Sequence, residues 1–183
     1  MDHAEAIVQI DGMIDENFCD DIINIINNKS IKQMTTMAGV NKKIRNVIGY
    51  SLDNIDEDRP IYDKINKKIE ELYVYYKIKF LKGLKNKKIN QIDLLKYEVD
   101  GKHEIHVDTM TDNTRNISVI INLNDDYEGG DLLFVNPMKY LEEVKRTKLK
   151  KGTIVFFPSS FMYPHSIRPI TKGTRYSIVA WLQ

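Results

Sequence analysis

The alternation of apolar and polar positions divides the chain into two textures. In the first half, Ile7 to Ile10 reads as a short strand, and Phe18, Ile22, Ile23, Ile25 and Ile26 fall on one side of a helix that Asp15 is placed to cap. A second helix is marked more strongly. Pro60 stands near its first turn, Ile61, Ile65, Ile69, Leu72 and Tyr76 recur at three- and four-residue spacing, and Lys64, Lys67, Lys68, Glu70 and Glu71 take the wet side. Between the two helices, Ser30 to Asn41 is polar, Met-containing and aperiodic, which reads as a loop placed to border a site.

From Gln91 onward the texture becomes short β-like runs: Ile92 to Val99, His103 to Asp108, Ile117 to Leu123, Leu132 to Val135, Thr153 to Phe157 and Tyr176 to Leu182. The pairs Asp100-Gly101, Gly129-Gly130 and Lys172-Gly173 supply turn positions where φ > 0 is tolerated. Short strands at such intervals predict a sandwich or barrel, mainly β with flanking helices. Counting by two places Arg175, Ser177, Val179 and Trp181 on one strand face, and separates Ser118, Ile120 and Asn122 from Ile117, Val119, Ile121 and Leu123. Polar groups scattered on one face and an apolar opposite face fit a ligand cavity between layers, although a plain core also tolerates an occasional Ser or Asn.

Composition narrows the partners. With 183 residues, 42% of them hydrophobic, the chain is expected to form one domain, residues 1–90 supporting a core at 91–183. Lys and Arg total 27 against 26 Asp and Glu, so no single-sign field draws nucleic acid or an anionic membrane. The basic run Lys82 to Lys88 is interrupted by Gly83, Leu84 and Asn86 and reads as a solvated turn. Cys19 is the only cysteine, which excludes an internal disulfide and a cysteine metal cluster and suits a reducing, cytoplasmic setting. Met1-Asp2-His3-Ala4-Glu5 lacks the basic start of a signal peptide, and no stretch approaches the roughly 20 apolar residues of a membrane span.

In Glu104-Ile105-His106-Val107-Asp108, a spacing of two sets an imidazole and a carboxylate side by side on one strand face. His165 can return on a later strand as a third ligand, and two histidines with one carboxylate form the facial triad of non-haem iron(II) oxygenases. Alone, His-x-Asp is weak, since the tripeptide arises by chance. Arg175 opens an otherwise core-like strand; it either caps that strand in solvent or binds a carboxylate bidentately.

Taken together, the C-terminal half resembles the prolyl 4-hydroxylase branch of the 2-oxoglutarate and iron(II)-dependent dioxygenases. The matching order is Tyr97, Gly101, His106, Asp108, Arg115, Asn122-Leu123-Asn124, Tyr127 to Phe134, Lys151 to Phe157, His165, Pro169-Ile170, Gly173, Arg175 and Trp181. The resemblance implies a distorted double-stranded β-helix, or jelly roll, that binds Fe(II) through His106, Asp108 and His165. It implies a 2-oxoglutarate pocket of Arg175, Tyr97, Asn122, Leu132 and Ser177, with Thr171 as an alternative hydroxyl. Asn122 and His103 stand where the family often has tyrosines, so at Asn122 the usual co-substrate contact must change or be lost. The implied activity is hydroxylation of prolyl residues in a peptide or protein, with O2 consumed, 2-oxoglutarate converted to succinate and CO2, and ascorbate as reductant. Free proline or another small amino acid is the alternative substrate.

Asp108 argues against a halogenase, which lacks this carboxylate. Trp181, where nucleic-acid demethylases resemble a pattern with a second arginine, argues against that branch. A non-catalytic metal-binding jelly roll or a zinc-loaded site would leave Arg175 and Tyr97 unexplained. Arg45 and Trp181 are candidate substrate contacts, Arg45 being alternatively a surface salt-bridge partner. The loops Ser30 to Asn41 and Asn136 to Lys148 are placed to fold over an extended peptide.

Overall fold

The computed structural model describes residues 3–36, 38–52, 57–80, 88–109 and 115–183. After a short 3-10 turn, the chain runs through β1 (Val8–Ile10), α1 (Glu16–Asn28), β2 (Lys32–Gln33), β3 (Arg45–Asn46), β4 (Ile48–Leu52) and α2 (Arg59–Phe80). Then follow β5 (Ile89–Tyr97), β6 (Lys102–His106), β7 (Ile117–Asn122), β8 (Glu128–Gly129), β9 (Leu132–Asn136) and β10 (Glu142–Thr147). The last four strands are β11 (Ile154–Pro158), β12 (His165–Ile167), β13 (Ile170–Lys172) and β14 (Arg175–Leu182).

Both helices form where the pattern places them. The Asp15 carboxylate accepts from the Phe18 backbone N–H at 2.8 Å, satisfying one of the donors that a helix start leaves open. Phe18, Cys19, Ile22 and Ile26 are buried along α1, with Ile23 and Ile25 only partly covered. On α2 the buried face is Ile65, Ile69, Leu72, Tyr73 and Tyr76. These faces close over one side of a seven-stranded sheet of order β1-β11-β7-β14-β5-β4-β2, against Ile117, Val119, Ile121, Ile178, Ala180 and Leu182.

The opposite side of that sheet faces a five-stranded sheet of order β10-β9-β12-β6-β3. Between the two lies a second apolar cluster that includes Leu95, Tyr97, Ile120, Val155 and Phe157 from the larger sheet and Leu132, Phe134 and Ile167 from the smaller. This is the jelly-roll arrangement, and the two-residue parity of β7 and β14 sorts their side chains as expected, one set to the helices and one to the interior.

The differences from the sequence reading have local causes. Segment 136–148 is no loop: β10 runs through it as an edge strand pairing only with β9, and its residues Glu142–Thr147 are half exposed, so no apolar alternation marks it. Strands β3, β4, β12 and β13 are two to five residues long, too short to show a period. At Asp100-Gly101 it is Asp100 that takes the left-handed conformation, φ 64°. Gly101 is required for room, because a Cβ there would press on the Glu98 backbone. Gly130 combines both demands, with φ 69° and Ile170 and Arg175 closing on the position a Cβ would fill. Apart from Lys88, the basic run from Lys82 lies outside the described residues. Among the described residues, no helix is long and apolar enough to cross a membrane.

Candidate active site

The open space between the sheets is a cavity of about 650 Å³. Its wall on the larger sheet is built by parity: Gln91, Asp93, Leu95 and Tyr97 from β5, Ile120 from β7, and Arg175, Val179 and Trp181 from β14. Because Arg175 pairs with Tyr97, Val179 with Asp93 and Trp181 with Gln91, the polar residues collect at two ends, with Leu95, Ile120 and Val179 as an apolar band between them.

The smaller sheet contributes a cluster of ligand-type atoms. His106 on β6 and His165 on β12 are direct cross-strand partners, and their rings lie 4.3 Å apart. Asp108 follows just past the end of β6, its two carboxylate oxygens 3.6 Å from His106 Nε2 and 3.7 Å from His165 Nε2. One ligand atom from each of the three falls within 4.8 Å of the others. Each imidazole is oriented from behind. His106 Nδ1 lies 2.8 Å from the Glu104 carbonyl and His165 Nδ1 3.1 Å from the Tyr163 carbonyl. A carbonyl only accepts, so Nδ1 carries the proton in both rings and Nε2 offers its lone pair toward Asp108.

Burial and the neighbouring His106 push His165 down to about 4, so it is neutral at neutral pH, as a metal ligand must be. Burial works to raise the Asp108 carboxyl, but His165, His106 and the Ser118 hydroxyl outweigh it and hold Asp108 well below the usual carboxylate range.

Three more residues meet at this cluster, of which sequence noted Ser118 only as a polar position on its strand and His103 only at a family tyrosine position. The Ser118 hydroxyl donates to Asp108 at 2.5 Å, and Ser159 lies 2.8 Å behind it. Since the Ser118 hydroxyl hydrogen points to Asp108, Ser159 donates to Ser118. His103 stacks on His106 with ring centroids 3.5 Å apart, and burial pushes it down to about 2. Ser118 shares a strand face with Asn122, which was the available signal; the contact itself depends on the register between β7 and the segment after β6.

At one end of the cavity Arg175 is 1% exposed. Its Nε donates to Asn122 Oδ1 at 3.0 Å, one terminal nitrogen donates to Ser177 Oγ at 3.3 Å, and the guanidinium sits 5.1 Å from the centre of the Tyr97 ring. The other terminal nitrogen is buried without a hydrogen-bond partner, and Arg175 has no ion pair among the described residues. A buried guanidinium with a free N–H and no acid beside it suits a carboxylate from outside the chain.

Asn122, at the position where the resemblance places a tyrosine, is fully bonded within the chain. Its side-chain nitrogen donates to the carbonyls of Asn124 and Leu149, and its oxygen accepts from both Arg175 and the Tyr127 hydroxyl. Asn122 therefore grips the arginine; like Leu132 and Ser177 it is not among the described residues that line the cavity. Thr171 is exposed on β13, away from the cavity.

At the other end are Arg45, Ser51, Gln91, Asp93, Arg115 and Trp181. Asp93 is 2% exposed and accepts from Ser51 at 2.7 Å and Gln91 at 2.8 Å. Arg45 stands 3.9 Å from Asp93 and donates to the Thr35 carbonyl at 2.7 Å; it is a cavity residue and no surface salt bridge. Arg115 donates to Gln91 at 2.8 Å and stacks 3.9 Å from the Trp181 ring centre. Met34, Thr35, Thr36 and Ala38, from the segment read as a bordering loop, complete this side.

Comparison with known proteins agrees with this geometry. A family model described as the 2OG-Fe(II) oxygenase superfamily matches residues 92–183. Human prolyl 3-hydroxylase 3 is 36% identical over 67 residues, 37% of this chain and 9% of that protein. A PKHD-type hydroxylase of Gloeothece citriformis is 27% identical over 110 residues, 57% of this chain and 47% of that protein. The chain thus spans about half or less of the curated relatives it matches. Among solved structures, a Pseudomonas putida prolyl-4-hydroxylase superposes with TM-score 0.77 at 17% identity, covering 97% of this chain and 92% of that one. A viral collagen prolyl hydroxylase from Paramecium Bursaria Chlorella virus-1 gives 0.72 at 19%, covering 97% and 95%. A Trichoplax adhaerens prolyl hydroxylase, solved with a hypoxia inducible factor peptide fragment, gives 0.77 at 14%, covering 97% and 83%. These likenesses establish the shared fold.

Proposed function

The chain belongs to the 2OG-Fe(II) oxygenase superfamily, and from that membership we propose that it hydroxylates prolyl residues of a peptide or protein, coupled to conversion of 2-oxoglutarate to succinate and CO2. Family membership implies Fe(II), 2-oxoglutarate and O2 as its cofactor set; ascorbate is the proposed reductant. The observation that carries the reading is the pairing of two features in one cavity: a histidine-aspartate-histidine cluster, and a buried arginine with an unpartnered N–H.

In this reading His106, Asp108 and His165 hold iron(II), two neutral imidazoles and one carboxylate matching its ligand preference and leaving positions for co-substrate. Bound iron(II) with 2-oxoglutarate and O2 supplies the oxidising power to hydroxylate a C–H bond. The protein's part is placement. The Glu104 and Tyr163 carbonyls fix the imidazole tautomers, and the Ser159-Ser118 hydroxyl pair fixes the Asp108 carboxylate. Arg175, held from behind by Asn122 and Ser177, receives the distal carboxylate of 2-oxoglutarate. Leu95, Ile120 and Val179 keep the middle of the cavity apolar and exclude water from the reacting atoms.

The experiment is succinate formation from 2-oxoglutarate with iron(II) and ascorbate, with and without a proline-rich peptide, for wild type, His106→Ala and Arg175→Ala. Peptide-stimulated succinate in wild type alone, with a mass gain of one oxygen on the peptide, supports the proposal. Equal turnover in all three proteins sinks it.

A further inference from the structure

The end of the cavity around Arg45 keeps binding groups that the metal cluster and the co-substrate do not use. Arg45 stands 3.9 Å from Asp93, too far for a hydrogen bond, so its guanidinium is only loosely neutralised there. A loosely paired charge in a buried site is expensive, and an anionic ligand removes that cost.

Hydrogen bonding at this end points the same way. Asp93 is already engaged by Ser51, Gln91 and Arg45. What the wall leaves open are donors: Arg45 Nε and Trp181 Nε1 are both buried without a partner. A guanidinium and an indole with open N–H groups select oxygen acceptors, and the charge of Arg45 favours negative ones. The register places this end four residues along β5 and β14 from the Arg175 end, Val179-Asp93 against Arg175-Tyr97, which is about 13 Å at the rise of a strand. Trp181 pairs with Ser118, whose hydroxyl donates to Asp108, so the metal cluster lies beside this end.

We infer that the substrate carries a carboxylate which docks on Arg45 and Trp181, at the end of the cavity opposite the 2-oxoglutarate carboxylate. The source of that carboxylate is either a free amino acid or an acidic group beside the target residue of a peptide. The inference rests on the reading of this cavity as an oxygenase active site and adds the substrate class. Asp93 is a positioning residue in this arrangement, aligning Arg45 rather than touching the ligand.

Trp181 is the only tryptophan in the chain, so its fluorescence reports on this end without a label. The full chain is titrated with two pairs of probes, L-proline against L-prolinamide and acetyl-Gly-Pro-Glu amide against acetyl-Gly-Pro-Gln amide. Each titration is run without additions and again under nitrogen with iron(II) and saturating 2-oxoglutarate, which fills the Arg175 end. The expected result is half-saturation at least tenfold lower for the carboxylate member of one pair, with the responding pair naming the source. Arg45→Met abolishes the preference and Arg45→Lys reduces it at least threefold; thermal unfolding checks that each variant is folded, and Arg45→Lys decides the matter if Arg45→Met is not. Equal half-saturation within both pairs, or a preference that survives these substitutions, overturns the inference. A carboxylate preference in a protein that forms no succinate removes the oxygenase reading and leaves this site standing. Succinate formation with no preference does the reverse.

Discussion

The two ends of the cavity solve the burial of a guanidinium in opposite ways. Arg175 is enclosed at 1% exposure by neutral partners, Asn122, Ser177 and the face of Tyr97, and keeps one N–H unspent. Arg45 stands at the edge of the cavity with 15% of its side chain exposed, beside the carboxylate of Asp93. A group held by neutral acceptors retains its full charge for a ligand, whereas one beside an acid is already partly neutralised and relies on geometry for selection. The first arrangement suits a ligand that never varies. The second suits one that must be distinguished from its analogues.

Four substitutions test this contrast. The largest effect is expected at the proposed metal ligands. Loss of an outer-shell partner costs about 10- to 100-fold in metal affinity, so His165→Ala, which removes a ligand itself, is expected to weaken iron binding by more than that, read by metal content after dialysis.

Arg175→Met should raise the 2-oxoglutarate concentration for half-maximal turnover about 30-fold or more, since truncating one partner of a buried charge pair costs on the order of 2–5 kcal/mol. In the absence of 2-oxoglutarate the same variant should melt no lower than wild type, because a buried unpaired charge is gone. The melting gain that wild type shows on adding 2-oxoglutarate should disappear. A variant that melts much lower and still responds to 2-oxoglutarate would place the co-substrate elsewhere.

Asp93→Asn probes the other end through pH. Burial raises the Asp93 carboxyl above its ordinary value, the bonds from Ser51 and Gln91 only partly opposing it. The folded protein therefore holds that proton more tightly than the unfolded chain. Stability from this residue is greatest below the ordinary carboxylate pKa and is lost as pH rises through the raised folded value. Urea unfolding of wild type and Asp93→Asn across that window should show the difference between them widening in favour of the amide as pH rises. A constant difference would mean that Asp93 ionises without cost. The smallest effect belongs to Ser177→Ala. Its bond to Arg175 is long, 3.3 Å, and a bond of about 0.5–1.5 kcal/mol corresponds to a loss of roughly two- to tenfold in 2-oxoglutarate affinity.

The sequence showed the parts of this molecule that repeat. β7 and β14 alternate cleanly because each has one side against the helices and one toward the cavity, and α1 and α2 carry apolar faces of helical period. β10 was invisible because an edge strand with both faces half wet has nothing to alternate. Arg45 sits on a two-residue strand whose partner, β6, lies far along the chain, so only the assembled sheet shows that it belongs to the cavity. Asn122 was read as a position where the co-substrate contact must change or be lost; in the structure its amide is tethered by two backbone carbonyls and holds Arg175 from behind. Ser118 and Ser159 meet across 41 positions of sequence, and no spacing rule predicts a hydroxyl pair at that distance.

The carbonyls behind His106 and His165 carry one more consequence. Both rings are oriented by the backbone, so no ion is needed to set their tautomers. A cradle prepared in this way does not choose its guest by folding around it. Nitrogen and oxygen donors favour cobalt, nickel, copper and zinc over iron(II) in intrinsic affinity. Which ion occupies such a cradle is then decided by the surrounding supply of metals, and trace zinc or copper would act as a poison that competes for the seat without disturbing the fold.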